Sequence, residues 1–519
     1  MNSLLLLAAH EVGTGTTVLF GLLLVAMILG LAFEEKLHAK KSIITGLAAL
    51  VCLFLASNLG VMPRDHDGLV ELQPAAEEPA AEEGAKTEGA KTEGAKTEGA
   101  KTEGAKTEGA KAGGAKGEGA HEPAAAEKHK VSLAHWVLGI EWGVIGIILG
   151  ASLFVDVSSK SGMFTWVAVK LTKQTRGDPL YLLLAYGGLT VLFSAFLNNV
   201  TAMIIVGSLT AVSLKRLGQE GLLMGFLLME GLLTNVGGLL TLISSVPNII
   251  VGQAARISFM EFFLIAAPYV VASTAATLFL GMKMFQIHRL EDEAARKSAS
   301  ELVSGFDEND GIQSRGFFYF SIAAFVAFIL ALATKDLNPL TRHIDLGFIA
   351  LGFGALMLLI YKHEVDKFYA AVDWDLLAFF ATLFVVINVM EHAQVLAYMG
   401  KLVAWLIGVG GKLALLWSAA AFSSVTDNIP LSAMLAKILQ AQHTEQSYKV
   451  MEWWAVVFGS NLGGNMTPIG SASTVVAVTI MAKHKVPLSF VEFVKKAMPF
   501  ALLQLGIASI YLLILGAIL

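Results

Sequence analysis

Cysteine is nearly absent from this chain. Cys52 is the only one in 519 residues, which excludes intrachain disulfides and cysteine metal clusters. Charge is scarce too: Asp, Glu, Lys and Arg make up 15% of the sequence, where soluble domains carry roughly 25%. The opening MNSLLLLAAHEV lacks the basic leader region of a secretory signal, so the first apolar run reads as a retained transmembrane helix. No Gly-x-x-x-x-Gly-Lys-Ser/Thr loop is present, and Gly410-Gly411-Lys412-Leu413 does not supply one. No two histidines have convincing metal-ligand spacing. Nothing therefore points to an enzyme, a cofactor, an ATPase subunit or a nucleic-acid partner.

Apolar chain is what the sequence has in quantity. Hydrophobic residues make up 55%, and the mean hydropathy is +0.65. Runs of about 18–22 apolar residues recur, the length a helix needs to cross the hydrocarbon core of a bilayer. The expected fold is an all-α polytopic membrane protein, with the lipid bilayer as its first partner. Helices are expected over 14–33 and 43–62. Glu34, Glu35, Lys36, Lys40 and Lys41 lie between them, and the lysines place that loop in the cytoplasm.

Residues 64–130 are of different composition. GAKTE recurs five times from Gly84 to Glu108 and then degrades to GAKAG and GAKGE. Without aromatics and with interleaved charges, such a segment cannot bury enough apolar surface to order itself. It is expected to be a solvated extracytoplasmic linker. The full division is 1–63 (two N-terminal helices), 64–130 (linker), 131–288 (first transport block), 289–342 (cytoplasmic loop and connecting helix) and 343–519 (connecting helix and second block).

Two apolar stretches are interrupted by polar residues. The 179–214 run is too long for one crossing, and its centre reads SAFLNNVT, with Asn198, Asn199 and Thr201 in apolar surroundings. Lys170, Lys173 and Arg176 precede it and Lys215 and Arg216 follow it, so it enters and leaves on one side as a re-entrant hairpin. The 221–256 run contains NVGGLLTLISSVPNIIVG, and its glycines, serines and proline break a helix at its middle.

Both features occur twice. Glu141-Trp142 matches Asp373-Trp374, Asn198-Asn199 matches Asp427-Asn428, and Asn235-Val-Gly237-Gly238 with Thr241 matches Asn461-Leu-Gly463-Gly464 with Thr467. The offsets of 232, 229 and 226 residues keep order and spacing. Lysines 160, 170 and 173 follow the first helix of the first block, whereas Lys362 and Lys367 precede that of the second. Two inverted-topology repeats are expected, each with a re-entrant helical hairpin and a discontinuous transmembrane helix, and a site near the bilayer midplane.

The expected site draws on Asn198, Asn199, Thr201, Asn235, Gly237, Gly238, Thr241 and Asn248 from the first repeat. The second repeat contributes Thr426, Asp427, Asn428, Asn461, Gly463, Gly464 and Thr467. Amide, hydroxyl and carbonyl oxygens with one carboxylate suit a hard cation, and half-helix N-termini favour an anion. Asp427, an acid within an apolar run, is the first candidate for exchanging a proton for a cation, and Glu230 is the second. Asp427, Asn199 and Asn428 are the residues expected to hold Na+.

SAFLNNVT, GGLLTLISSVPNIIVG, SSVTDNIPLSAML and GGNMTPIGSAST resemble the ion-transporter superfamily over about residues 131–519. That group includes NhaD-type sodium/proton antiporters, ArsB-type arsenite permeases, the melanosomal P protein and citrate/dicarboxylate carriers. The resemblance implies the inverted-repeat fold, ion and substrate sites built around Asn199 and Asn428, and a homodimer in the inner (cytoplasmic) membrane. One departure stands out. Many NhaD-like members carry an acid where this chain has Asn198. The function expected from the sequence is Na+(Li+)/H+ antiport by alternating access, with an ion-coupled anion carrier for citrate, dicarboxylate or arsenite as the alternative. Deleting Gly84–Glu118 is expected to leave transport in reconstituted vesicles unchanged, and a loss of activity would refute the linker reading.

Overall fold

The structure, a computed structural model, describes residues 12–62, 69–70, 131–132 and 135–519, apart from 340, 361, 363–364 and 444–446. The chain divides into two units, Met1–Arg64 with His135–Leu519, and Asp65–Ala134. In the second unit the two-residue strands β1 (Leu69–Val70) and β2 (Val131–Ser132) pair antiparallel. The rest of the 64–130 linker lies outside the described residues. The first unit is helical, and among its described residues eight helices are long and apolar enough to span a bilayer.

Its elements run in chain order. The N-terminal pair is α1 (Thr14–Ala32) and α2 (Lys41–Asn58). The first block is α3 (Trp142–Ser159), α4 (Met163–Gln174), α5 (Pro179–Ser194), α6 (Asn199–Arg216), α7 (Leu223–Gly237), α8 (Val246–Ala254) and α9 (Phe259–Met284). A linking region follows, with α10 (Glu293–Ser304), α11 (Arg315–Thr334) and α12 (Leu346–Ile360). The second block is α13 (Trp374–His392), α14 (Val395–Ser423), α15 (Asn428–Gln442), α16 (Met451–Gly463), α17 (Ala472–Lys483) and α18 (Phe490–Ile518).

The two blocks correspond element by element. The 179–214 run is two helices joined at residues 195–198, and its counterpart is α14 and α15 joined at 424–427. Each tip ends the same way. Asn198 caps α6 by accepting from the Val200 N–H at 2.9 Å, and Asp427 caps α15 by accepting from the Ile429 N–H at 3.0 Å. The 221–256 run breaks between α7 and α8, and the 452–482 run between α16 and α17. α9 and α18 both open with a capping box, Ser258 with Glu261 and Ser489 with Glu492. One local difference exists. α14 runs through the place where α4 and α5 separate, but its backbone breaks there at Gly410 and at Gly411, whose φ is 61°.

The packing is reciprocal. α7 packs along α17 while α16 packs along α8, and α17 lies against α6 while α8 lies against α15. α9 packs against α18. An exchange of contacts in which each copy gives what it receives is the signature of a two-fold relation.

The helices outside the repeated blocks obey the same exchange. α12 packs on α3, and α2 packs on α13. The first contact is made by glycines: a Cβ on Gly150 would lie 2.3 Å from the Ala350 backbone, so only the absence of a side chain lets the helices approach. The second uses hydroxyls, with Thr45 Oγ1 2.6 Å from Thr382 Oγ1 and the Ser42 hydroxyl bonded to Asp375. The N-terminal pair therefore crosses over to support the second block, and the pair that precedes the second block supports the first. With Cys52 replaced by serine, Thr45→Cys and Thr382→Cys together are expected to form a disulfide on mild oxidation, seen as a mobility shift reversed by reductant. No shift would refute the crossover.

Candidate functional site

The site is built from the two helix breaks. At each, a helix stops at a Gly-Gly pair and restarts after a serine, leaving orphan backbone groups that need partners. The hairpin tips and the broken helices trade bonds to such groups. Thr241, in the first break, donates to the Ala195 carbonyl in the first tip at 2.5 Å, and Thr467, in the second break, donates to the Ser424 carbonyl in the second tip at 2.5 Å. Ser423 donates to the Ser460 carbonyl at 2.5 Å, and Ser194 lies 2.6 Å from the Thr234 carbonyl. Each tip is thereby docked on the broken helix of its own repeat. The glycines make this docking possible, since a Cβ on Gly237 would meet the Val191 backbone at 2.7 Å and one on Gly463 the Ala420 carbonyl oxygen at 2.3 Å. A Cβ on Gly238 would press on Asn199, and one on Gly464 on the Gly470 carbonyl.

The breaks also bond to each other. Ser245 donates to Asn461 Oδ1 at 2.7 Å, and Ser471 donates to Asn235 Oδ1 at 2.9 Å. Residues at equivalent positions thus trade the same bond between repeats. The pattern then departs from symmetry. Asn235 Nδ2 donates to Asn465 Oδ1 at 2.7 Å, and Asn465 Nδ2 donates to Gln504 Oε1 at 2.7 Å. Asn461 Nδ2 donates to Asn248 Oδ1 at 3.0 Å, and Asn248 Nδ2 donates to the Gly238 and Thr241 carbonyls. Asn235, Asn248, Asn461, Asn465 and Gln504 are all buried, and every one is hydrogen-bonded, as buried amides must be.

The tips differ from each other. Asn199 accepts from Ser194 at 2.5 Å and donates to Asn235 at 3.2 Å, which ties the first tip to α7. Asn428, its counterpart, makes no side-chain hydrogen bond among the described residues, and its positional partner Asn461 is taken up by Ser245 and Asn248. Asn198 is exposed, Thr201 is half-buried, and Thr426 bonds back to the Phe422 carbonyl at 2.8 Å. No hydrogen bond joins the two tips to each other among the described residues.

The two acids sit apart from this network. Glu230, buried on α7, accepts from Thr210 at 2.6 Å through Oε1, and its Oε2 has no partner. Thr234, one turn further along α7, donates to Ser473 at 2.7 Å, so the same helix carries polar groups from Glu230 to the break. Asp427 is engaged at both oxygens, by the Ile429 N–H and by Lys41 Nζ at 2.5 Å. Asp427, Asn199 and Asn428, the expected Na+ ligands, have separate surroundings: α2, α7 and no bonded partner.

Sequence reasoning found the breaks and tips because polar residues in apolar runs are conspicuous. It did not find Lys41 as a site neighbour, because Lys41 carried only a topological signal. Gln504 and Thr210 were also missed. Gln504 is a lone amide in the last apolar run, which is the signal available for it, and Thr210 has none.

A multi-pass, all-helical chain with two docked hairpins closing two mutually bonded helix breaks defines a secondary transporter rather than an enzyme. More particularly, the chain belongs to the CitMHS citrate transporter family, whose model matches residues 125–459. An uncharacterised transporter of Mycobacterium tuberculosis H37Rv is 29% identical over 380 residues, covering 72% of this chain and 86% of that one. The P protein of Mus musculus is 26% identical over 460 residues, covering 74% of this chain, which spans 55% of that protein. The fold is similar to that of the YdaH transporter of Alcanivorax borkumensis, with a TM-score of 0.50 at 14% identity, covering 74% of this chain and 86% of that one.

Thr241→Val and Thr467→Val each keep side-chain shape and remove one tip-docking bond, leaving a carbonyl unpaired. Each is expected to cost about 1–3 kcal/mol and to lower the thermal unfolding temperature in detergent by similar amounts. Unchanged unfolding of both variants would refute the docking role.

Proposed function

We propose that the protein is a secondary carrier of a small anion, a di- or tricarboxylate or an oxyanion, coupled to proton or sodium movement across the cytoplasmic membrane. The observation that carries this reading is the charge of the region between the repeats. Its side chains are amides and hydroxyls, and the one tip acid, Asp427, is already paired with Lys41. The restarting helices α8 and α17 lack side-chain caps, because Ser245 and Ser471 bond across to the other repeat instead. Half-helix N-termini left open in this way favour negative charge. The match to a citrate transporter family supports the same class of cargo.

The packing supports alternating access between inverted repeats. α7 ends at its break and α17 begins at its own, yet the two lie side by side, as do α16 and α8. Copies pointing the same way would put α7 and α17 on opposite sides of the break level. Copies pointing opposite ways put them together, with the two-fold axis in the membrane plane. Homodimer assembly is part of the proposal and follows from the family resemblance.

Sodium/proton antiport is the second reading, and Glu230 favours it. A buried carboxyl with one unbonded oxygen near the break can take up and release a proton. The two readings separate in everted vesicles carrying an imposed proton gradient. Sodium alone is expected to leave the gradient standing, while citrate, succinate or arsenite shows uptake above empty vesicles. Dissipation by sodium without anion flux would establish antiport instead.

A further inference from the structure

We propose that Lys41, on a helix outside both repeats, is the fixed counter-ion of the second hairpin tip and decides the sign of charge that the tip admits. This deepens the anion-carrier reading and rests on it. Lys41 Nζ lies 2.5 Å from Asp427 Oδ2, and the Asp427 side chain is only 14% exposed. The other carboxylate oxygen holds the Ile429 N–H. Both oxygens are thus committed, and a cation reaching this acid must displace a tethered ammonium.

The surroundings make the pairing matter. The cavity beside Asp427 is walled mostly by apolar side chains, Ile28, Leu31, Phe422 and Pro430 among them, with Ser418 and Thr426 as its hydroxyls, so a bare carboxylate would find little in place of water. Removing one partner of a shielded ion pair is costly because it strands the other charge. Lys41 is also held in place. Thr45, one turn on, is fully buried and bonds both the Lys41 carbonyl and Thr382. Ser42 is bonded to Asp375, and a second carboxylate, Glu34, stands 3.7 Å from the ammonium.

The first tip reaches the same electrical result differently. Asn198 occupies the position of Asp427 and makes the same cap bond, and no charged side chain pairs with it among the described residues. One tip carries an amide and the other an acid paired with a lysine, which Glu34 shares at 3.7 Å. The asparagine in the first tip and the lysine on α2 are two ways of keeping an unpaired carboxylate off the tips, so that an anion reaching either one meets no bare acid.

The test is a double-mutant cycle on the full chain in proteoliposomes, using whichever of citrate or succinate the wild type transports. Lys41→Gln is expected to raise KM for the anion by about tenfold with Vmax little changed, and Lys41→Arg to restore it. Asp427→Asn, which leaves the lysine to Glu34 alone, is expected to slow turnover. The double variant Lys41→Gln/Asp427→Asn, neutral again, is expected to recover most of the lost transport. An unmoved KM in Lys41→Gln overturns the proposal, including when the unfolding temperature falls, since that is a structural pair only. A double variant as deficient as Asp427→Asn overturns it too, because the carboxylate then acts in its own right. If the wild type exchanges sodium for protons instead, the anion reading fails separately. The counter-ion role is then scored by sodium: Lys41→Gln tightens apparent sodium affinity, the double variant abolishes the gain, and unchanged affinity overturns the role.

Discussion

Two breaks in membrane helices leave backbone groups that lipid cannot satisfy, and in this protein the two breaks are also bonded to each other. Ser471 reaches Asn235 and Ser245 reaches Asn461, at the points where α7 and α16 stop. A helix can be interrupted at membrane depth only where protein or water replaces the lost bonds. Here such bonds are made within each repeat, where Asn248 donates to the Gly238 and Thr241 carbonyls and Ser423 to the Ser460 carbonyl, while two serines and two asparagines tie one break to the other. Once those bonds form, α7 must lie beside α17 and α16 beside α8. The hairpins that dock on the broken helices are then fixed as well.

The two halves are equivalent in architecture and unequal in bonding. Asn199 is tied to α7 through Asn235, whereas Asn428 has no such tie, and Asn465 and Gln504 extend the network on one side only. A carrier working by alternating access needs states in which one half is held and the other released, and inequality between nearly identical halves is a physical basis for that. The second tip is docked on its own broken helix through Thr467 and Ser423, and in place of a tie through Asn428 it has Lys41, a group from outside the repeats.

Much of this was legible before the structure. SAFLNNVT and SSVTDNIP marked both tips, and the Gly-Gly pairs marked both breaks, because amides and glycines stand out against apolar sequence and their offsets repeat. Asn235, Thr241, Asn248, Asn461 and Thr467 all take part in the bonding between or within the repeats. The role of Asp427 was not legible. An acid in an apolar run signals an ionisable group at depth, but whether a partner stands beside it depends on a residue 386 positions away. The crossover of α1 and α2 to the second repeat was equally hidden, since contiguity in sequence suggests that a helix pair serves the block it precedes.

By itself the sequence determined the membrane class, the number and order of polar interruptions, their duplication, and the chemical kind of each site residue. Those depend on composition and periodicity, which are local. The tertiary structure alone decided which amide meets which hydroxyl, which tip asparagine is tied and which is not, and that the single tip acid is paired with a lysine from another part of the chain. Those depend on distances of a few ångströms between segments hundreds of residues apart, and only the packing of the whole helical unit sets them.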